Sequence, residues 1–183
     1  MKTRNLVLTA LFAALTAVGA FIKIPFPLSA ITLQFLFTAM AGVLLGPAWG
    51  AASQAVYVLL GLVGLPIFAL GGGFSYVFQP TFGFLLGLIP SAWLIGLLSR
   101  NTTNVWRIAL ACVAGLAVLY AIGVPYLALI ANGYLGKGLT FWQILRSGML
   151  IYLPGDCVKI AVTALLCGKL IPALQKAHVQ RAA

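Results

Sequence analysis

Six apolar runs follow one another along the chain, separated by short interruptions that carry proline, glycine or a basic residue. The runs predict helices over about 6–22, 31–45, 48–63, 79–98, 105–130 and 148–171. The first is rich in alanine. KIPFPLSA, residues 23–30, interrupts it, and Pro25 and Pro27 favour extended backbone there. Gly46-Pro47 predicts a tight turn, with Gly46 closing one helix and Pro47 opening the next. The second and third runs have about 15 residues each, roughly 22 Å of helix, against a hydrocarbon core of roughly 30 Å. Either the bilayer thins there or the helix ends are buried against protein.

Residues 64–78, GLPIFALGGGFSYVF, make a poor helix because Gly71, Gly72 and Gly73 stand together. The stretch is nevertheless apolar and aromatic, which suits a loop packed as a cap over a cavity. Pro125 is expected to kink the fifth helix. TFWQIL, within the mixed stretch 131–147, reads as a short interfacial helix, and a basic tail with His178 follows the last run.

Composition turns this pattern into a class. The chain is 63% hydrophobic and 7% charged, against about 25% charged residues in a soluble domain. The expectation is an all-α polytopic membrane protein: one domain, six transmembrane helices, set in the lipid bilayer. The first run continues into the fold without a cleavage-site pattern and is read as a span. The net charge of +10 is no nucleic-acid signature, because the basic residues are scattered beside apolar runs. Their distribution sets topology. Lys2, Arg4, Arg100, Arg107, Lys169, Lys176 and Arg181 fall on one side of the six spans, and Lys23, Lys137 and Arg146 on the other. The positive-inside rule then places both termini in the cytoplasm and the 64–78 loop outside. Cys112, Cys157 and Cys167 lack ligand spacing and read as packing residues.

Candidate chemistry centres on Asp156, the only acidic residue in the chain. Lys159 follows three positions on, so the two share a helical face. The pair is expected about nine residues into the sixth run, in the outer half of the bundle. An ionisable pair in such surroundings is costly and persists for a ligand, an ion or a structural pairing. Asp156 can accept from ligand N–H groups, and Lys159 can pair with a ligand carboxylate or with Asp156 itself. Thr32 reads either as a helix N-cap or as a ligand contact. Gln34 offers an amide to a neighbour or to a polar ligand. Ser75, Tyr76 and Gln79 end the glycine-rich loop; Tyr76 reads as an interfacial aromatic or a contact. The loop glycines either permit a turn or leave N–H groups free for a ligand. Ala10, Ala14 and Val18, beside Ala13 and Ala17, give the first helix a small-residue face for close helix approach. Gln54, Asn104 and Asn132 have no companion motif. No nucleophile–base pair and no metal-ligand cluster appears, so neither enzymatic chemistry nor a cofactor is expected.

The stretches ALFAALTAVGAFIKIPFP (10–27), ITLQFLFTAMAGVLLGP (31–47), YVLLGLVGLPIFALGGG (57–73), QPTFGFLLG (79–87) and LPGDCVKIAVTALL (153–166) together resemble the BioY family, the biotin-binding S components of energy-coupling factor (ECF) transporters. The resemblance covers nearly the whole chain. It implies a six-helix bundle with a substrate cavity near the extracellular face, working in the cell membrane with a transmembrane coupling subunit and two ATPases. It implies substrate contacts at Thr32, Gln34, Gly72, Gly73, Tyr76, Asp156 and Lys159, and docking on the coupling subunit through Ala10 and Ala14. The chain departs from the family at Pro80–Phe84, where PTGGY is the usual pattern. Phe82 brings a bulky ring and Phe84 lacks a hydroxyl, which is expected to reshape the cavity wall. No arginine in 64–78 serves a substrate carboxylate. Two other readings use the same residues: an S component for another small vitamin or heterocyclic carboxylate, and a membrane assembly protein whose polar residues only hold the bundle.

Overall fold

A computed structural model describes residues 2–26 and 29–176, with side chains described over 3–24 and 31–174. Pro27, His178 and Arg181 lie outside the described residues. The order is α1 (Lys2–Phe21), β1 (Lys23–Phe26), β2 (Ser29–Thr32), α2 (Gln34–Leu45), α3 (Pro47–Leu62), a 3₁₀ turn at Phe74–Phe78, α4 (Phe82–Leu98) and α5 (Val105–Ala128). A π-helical segment (Leu129–Tyr134), α6 (Phe141–Leu145), a second π segment (Arg146–Leu150) and α7 (Leu153–Lys176) complete the chain.

This is an all-α membrane bundle with one small hairpin. Helical stretches Thr3–Phe21, Val105–Tyr134 and Phe141–Leu174 are long and apolar enough to cross a membrane. Large apolar side chains such as Leu6, Val63, Leu110 and Leu165 cover its outer surface, which suits lipid and not water. The short α2 spans about 18 Å and packs against α1, α3, α4 and α7. Most of it is buried, so protein surrounds the ends that lipid could not satisfy. Gly46 joins α2 to α3 at φ 82°, a conformation that favours glycine, and Pro47 opens α3 where its missing N–H costs nothing. The helices approach closely: a Cβ on Gly42 would stand 2.6 Å from the Ala92 carbonyl oxygen of α4.

Four boundaries differ from the sequence expectation, each for a backbone reason. Ile31 and Thr32 belong to a strand, not to the second helix. Ser29–Thr32 pairs antiparallel with Lys23–Phe26, with Lys23 opposite Thr32. The proline-bearing stretch is extended as expected, and extended backbone needs ladder partners. The fourth helix begins at Phe82 instead of Gln79, since Pro80 holds a turn before it. The fifth runs past Pro125 and widens into the π segment at Leu129. The last helix begins at Leu153, not at Gly148. Pro154 sits in its first turn, where proline is tolerated, and Asp156 lies in that same turn instead of nine residues in. The short helix expected at TFWQIL is α6, closed by a capping box between Thr140 and Gln143.

Candidate functional site

At one end of the bundle, the hairpin, the 64–78 loop and the first turns of α2, α4 and α7 surround a cavity of about 660 Å³, counting its mouth. Its walls are mainly apolar, from Phe35, Phe84, Leu85, Leu88 and Leu119. Thr32, Gln34, Tyr76, Thr81, Tyr120, Tyr152 and Asp156 add a few polar groups.

Asp156 is 4% exposed and Lys159 7%. Lys159 Nζ donates to Asp156 Oδ1 at 2.6 Å, and the Tyr120 hydroxyl donates to Oδ2. Lys159 is absent from the cavity lining, while Tyr120 and Asp156 are both in it. The lysine therefore backs the carboxylate from behind, and the Tyr120 side of the carboxylate faces the cavity.

Across the cavity, the hairpin carries Thr32 to the head of α2. The helix N-cap is Leu33, so Thr32 does not occupy that position. Its hydroxyl donates to Gln34 Oε1 at 2.8 Å. Gln34 Nε2 donates to the Tyr57 hydroxyl at 2.7 Å, which donates to the Ile67 carbonyl at 3.0 Å. This relay ties the cavity wall to the loop.

The loop is packed, as its apolar character predicts. Phe68 is buried between Tyr57 and Tyr76, with ring centroids 5.6 and 4.7 Å away. It lies over Gly61, where a Cβ would meet the ring at 2.1 Å. Lys23 of the hairpin donates to the Ala69 carbonyl. Ala69 and Leu70 thereby reach the cavity, as does Tyr76. Burial raises the Tyr76 phenol above its ordinary pKa, with the Thr81 hydrogen bond acting in the opposite sense. It remains a neutral phenol at working pH.

Gly72 and Gly73 are not among the lining residues. A Cβ at Gly72 would collide with the Leu65 carbonyl, and Gly73, at φ 97°, donates its N–H to the Gly61 carbonyl at 2.7 Å. Both shape the loop. Phe84 does line the cavity, its ring resting against Gly123, whereas Phe82 is buried beside Tyr126 with centroids 5.9 Å apart. Ala10 and Ala14 face outward on α1 and are not among the lining residues.

Tyr57, Tyr120 and Tyr152 escaped the sequence reading. The available signal was a phenol inside an apolar run, which needs a hydrogen-bond partner when buried. The three unassigned polar residues prove structural. Asn104 caps α5 through the Trp106 N–H at 2.9 Å. Asn132 closes the 132–139 loop on Leu139, accepting at 2.7 Å and donating at 2.9 Å. Gln54 sits in the core. Among the described residues, no group of three or more His, Cys, Asp or Glu gathers as a metal site.

What this site can do chemically is hold a small molecule that presents N–H donors to a buried carboxylate and lays an apolar body against aromatic walls. Known proteins resemble this chain over nearly its whole length. The chain is 43% identical over 180 residues to the probable biotin transporter BioY of Lysinibacillus sphaericus, covering 97% of this chain and 91% of that one. It is 36% identical over 180 residues to the biotin transporter BioY of Thermotoga maritima, covering 97% and 99%. The crystal structure of the S-component for biotin from an ECF-type ABC transporter matches with a TM-score of 0.81 at 26% identity, covering 92% of this chain and 91% of that one. The model of the BioY family spans residues 1–176, and the chain belongs to that family.

Proposed function

We propose that this protein captures biotin from outside the cell as the substrate-specific subunit of an ECF transporter. The observation that carries the reading is the sole carboxylate of the chain, buried on the wall of a small-molecule cavity with Lys159 behind it. Biotin has a cyclic urea with two N–H donors and a carbonyl, an apolar thiophane ring and a carboxylated chain. Asp156 takes a ureido N–H. Gln34, Thr32 and Tyr76 offer further polar contacts, and the aromatic and leucine walls receive the ring. Gly72 and Gly73 act at one remove, by shaping the loop that carries Ala69, Leu70 and Tyr76. Lys159 acts through Asp156.

Topology supports the direction of capture. Arg4, Arg100, Arg107 and Lys169 lie at the helix ends opposite the cavity. The positive-inside rule makes that end cytoplasmic in the cell membrane, with both termini there. With no nucleotide site of its own, the subunit borrows a motor: a transmembrane coupling subunit and two ATPases. Ala10 and Ala14 are exposed one turn apart on α1 and permit close helix approach to the coupling subunit.

The test is radiolabelled biotin binding by the purified protein and by Asp156→Asn. Wild type binds; the variant keeps the shape but loses the charge, and its affinity falls at least about tenfold, roughly 1.4 kcal/mol. Unchanged affinity in a folded variant removes Asp156 from the site. Absence of binding by wild type removes biotin.

A further inference from the structure

Tyr120 stands between two spaces. It lines the cavity at the end of the bundle and also an apolar groove on its flank. No other residue is common to the two linings. The groove encloses about 930 Å³, counting its open side. Ala117 and Val124 of α5 face Leu145, Met149 and Leu153 across it. The ring itself is buried, with only its edge bordering the groove. Toward the cavity it meets Phe84 edge-on at 6.4 Å, and its hydroxyl occupies Asp156 Oδ2.

That hydroxyl occupies the acceptor a ligand needs. Lys159 holds Oδ1 from behind, so an N–H arriving through the cavity meets the Tyr120 side of the carboxylate. Displacing the phenol without a new partner would leave a buried polar group unpaired, which is costly. A cyclic urea solves this, because its carbonyl lies beside its N–H. We propose that Tyr120 is a specificity-determining residue that hands over. In the empty protein its O–H donates to Asp156 Oδ2. In the loaded protein the ligand N–H takes Oδ2, and the Tyr120 O–H turns to the ligand carbonyl. Tyr120 O–H and Asp156 Oδ2 each keep a partner in both states, and the groove beside the ring admits the small shift this needs. The device selects ligands with a donor and a strong acceptor side by side. It rests on the reading of Asp156 as the receiver of a ureido N–H.

The experiment compares biotin with its cyclic thiourea analogue, in which sulfur, a weak acceptor, replaces the ureido oxygen. Both are titrated into wild type, Tyr120→Phe and Ala117→Trp. Wild type prefers biotin by about tenfold, because the site rejects a ligand that leaves its hydroxyl unpaired. Tyr120→Phe binds the two within about twofold of each other. If Tyr120 merely steadies Asp156, the variant weakens both ligands alike and keeps the preference; that result overturns the hand-over while leaving the biotin reading intact. Should Tyr120→Phe fail to fold, Ala117→Trp decides. It fills the groove from the lipid side without touching the cavity, and the trapped ring weakens biotin binding by about tenfold. Unchanged binding there overturns the proposal. A wild type that binds neither compound overturns the reading beneath it as well.

Discussion

Two buried polar clusters lie side by side in this bundle, and they do opposite things. In the first, Gln54 of α3 is fully buried with Thr16 of α1, Thr38 of α2 and Ser53. Gln54 Oε1 accepts from Thr38 at 2.9 Å. Its amide donates to Ser53 at 3.0 Å and Thr16 at 3.3 Å. The amide's donor and acceptor capacity is met from within, and none of these residues lines the cavity. The cluster clamps α1, α2 and α3 together. The second cluster, Tyr120–Asp156–Lys159, is also buried, but its phenol and carboxylate stand on a cavity wall, where a ligand can exchange with the phenol. Burial and polarity alone therefore do not mark a site in a membrane bundle. Hydrogen-bonding groups that face a space and can exchange partners there do.

Removing each cluster's central residue tests the distinction most strongly. Asp156→Ala leaves Lys159 buried without its counter-ion, so stability falls by about 3–5 kcal/mol and biotin binding is lost. Gln54→Ala removes the bonds that link Thr16, Thr38 and Ser53 across the helices, although each hydroxyl keeps a carbonyl acceptor in its own helix, and it opens a small void, lowering stability by about 1–3 kcal/mol. Its biotin affinity stays within about threefold of wild type. Denaturation midpoints and binding isotherms on the same preparations check both. A Gln54 variant that folds well but no longer binds would erase the difference between the clusters.

Gln34 is intermediate, because it lines the cavity while its backbone carbonyl, 3.0 Å from the Thr38 hydroxyl, is that hydroxyl's alternative acceptor. Gln34→Leu is expected to weaken biotin binding by about fivefold and to lower stability by about 1 kcal/mol, since Thr32 and Tyr57 lose their shared partner. Calorimetric titration reads the first, thermal unfolding the second. An effect confined to stability would move Gln34 to the clamp side.

The smallest effect belongs to the rim. Lys23→Met removes the bond that ties the hairpin to the Ala69 carbonyl. It costs about 0.5–1 kcal/mol, a two- to fivefold loss of affinity. Hydrogen exchange at Ala69–Ser75 should be faster in the variant than in wild type, and slower in either protein with biotin than without. Equal exchange with and without ligand would make the loop a fixed wall instead of a cap.

Much of this protein is written locally. Long apolar runs specify spans because lipid leaves the backbone no other way to satisfy itself than a helix. Gly46-Pro47 specifies its turn because each residue has a backbone conformation the other cannot supply. A single acidic residue in an apolar chain singles itself out by cost. The strand pairing of 23–26 with 29–32 was not legible, since proline announces extension but not the partner. Nor was the place of Asp156 in its helix, which depends on where the run from Phe141 changes its pitch. Tertiary structure alone decided that Tyr120 meets Asp156 across 36 positions and that Gln54 meets Thr16 across 38. Apolar helices carry little pattern to tell which of their polar residues will face one another. Close packing of the helices settles it, and with it which polar group becomes a clamp and which is left open to a ligand.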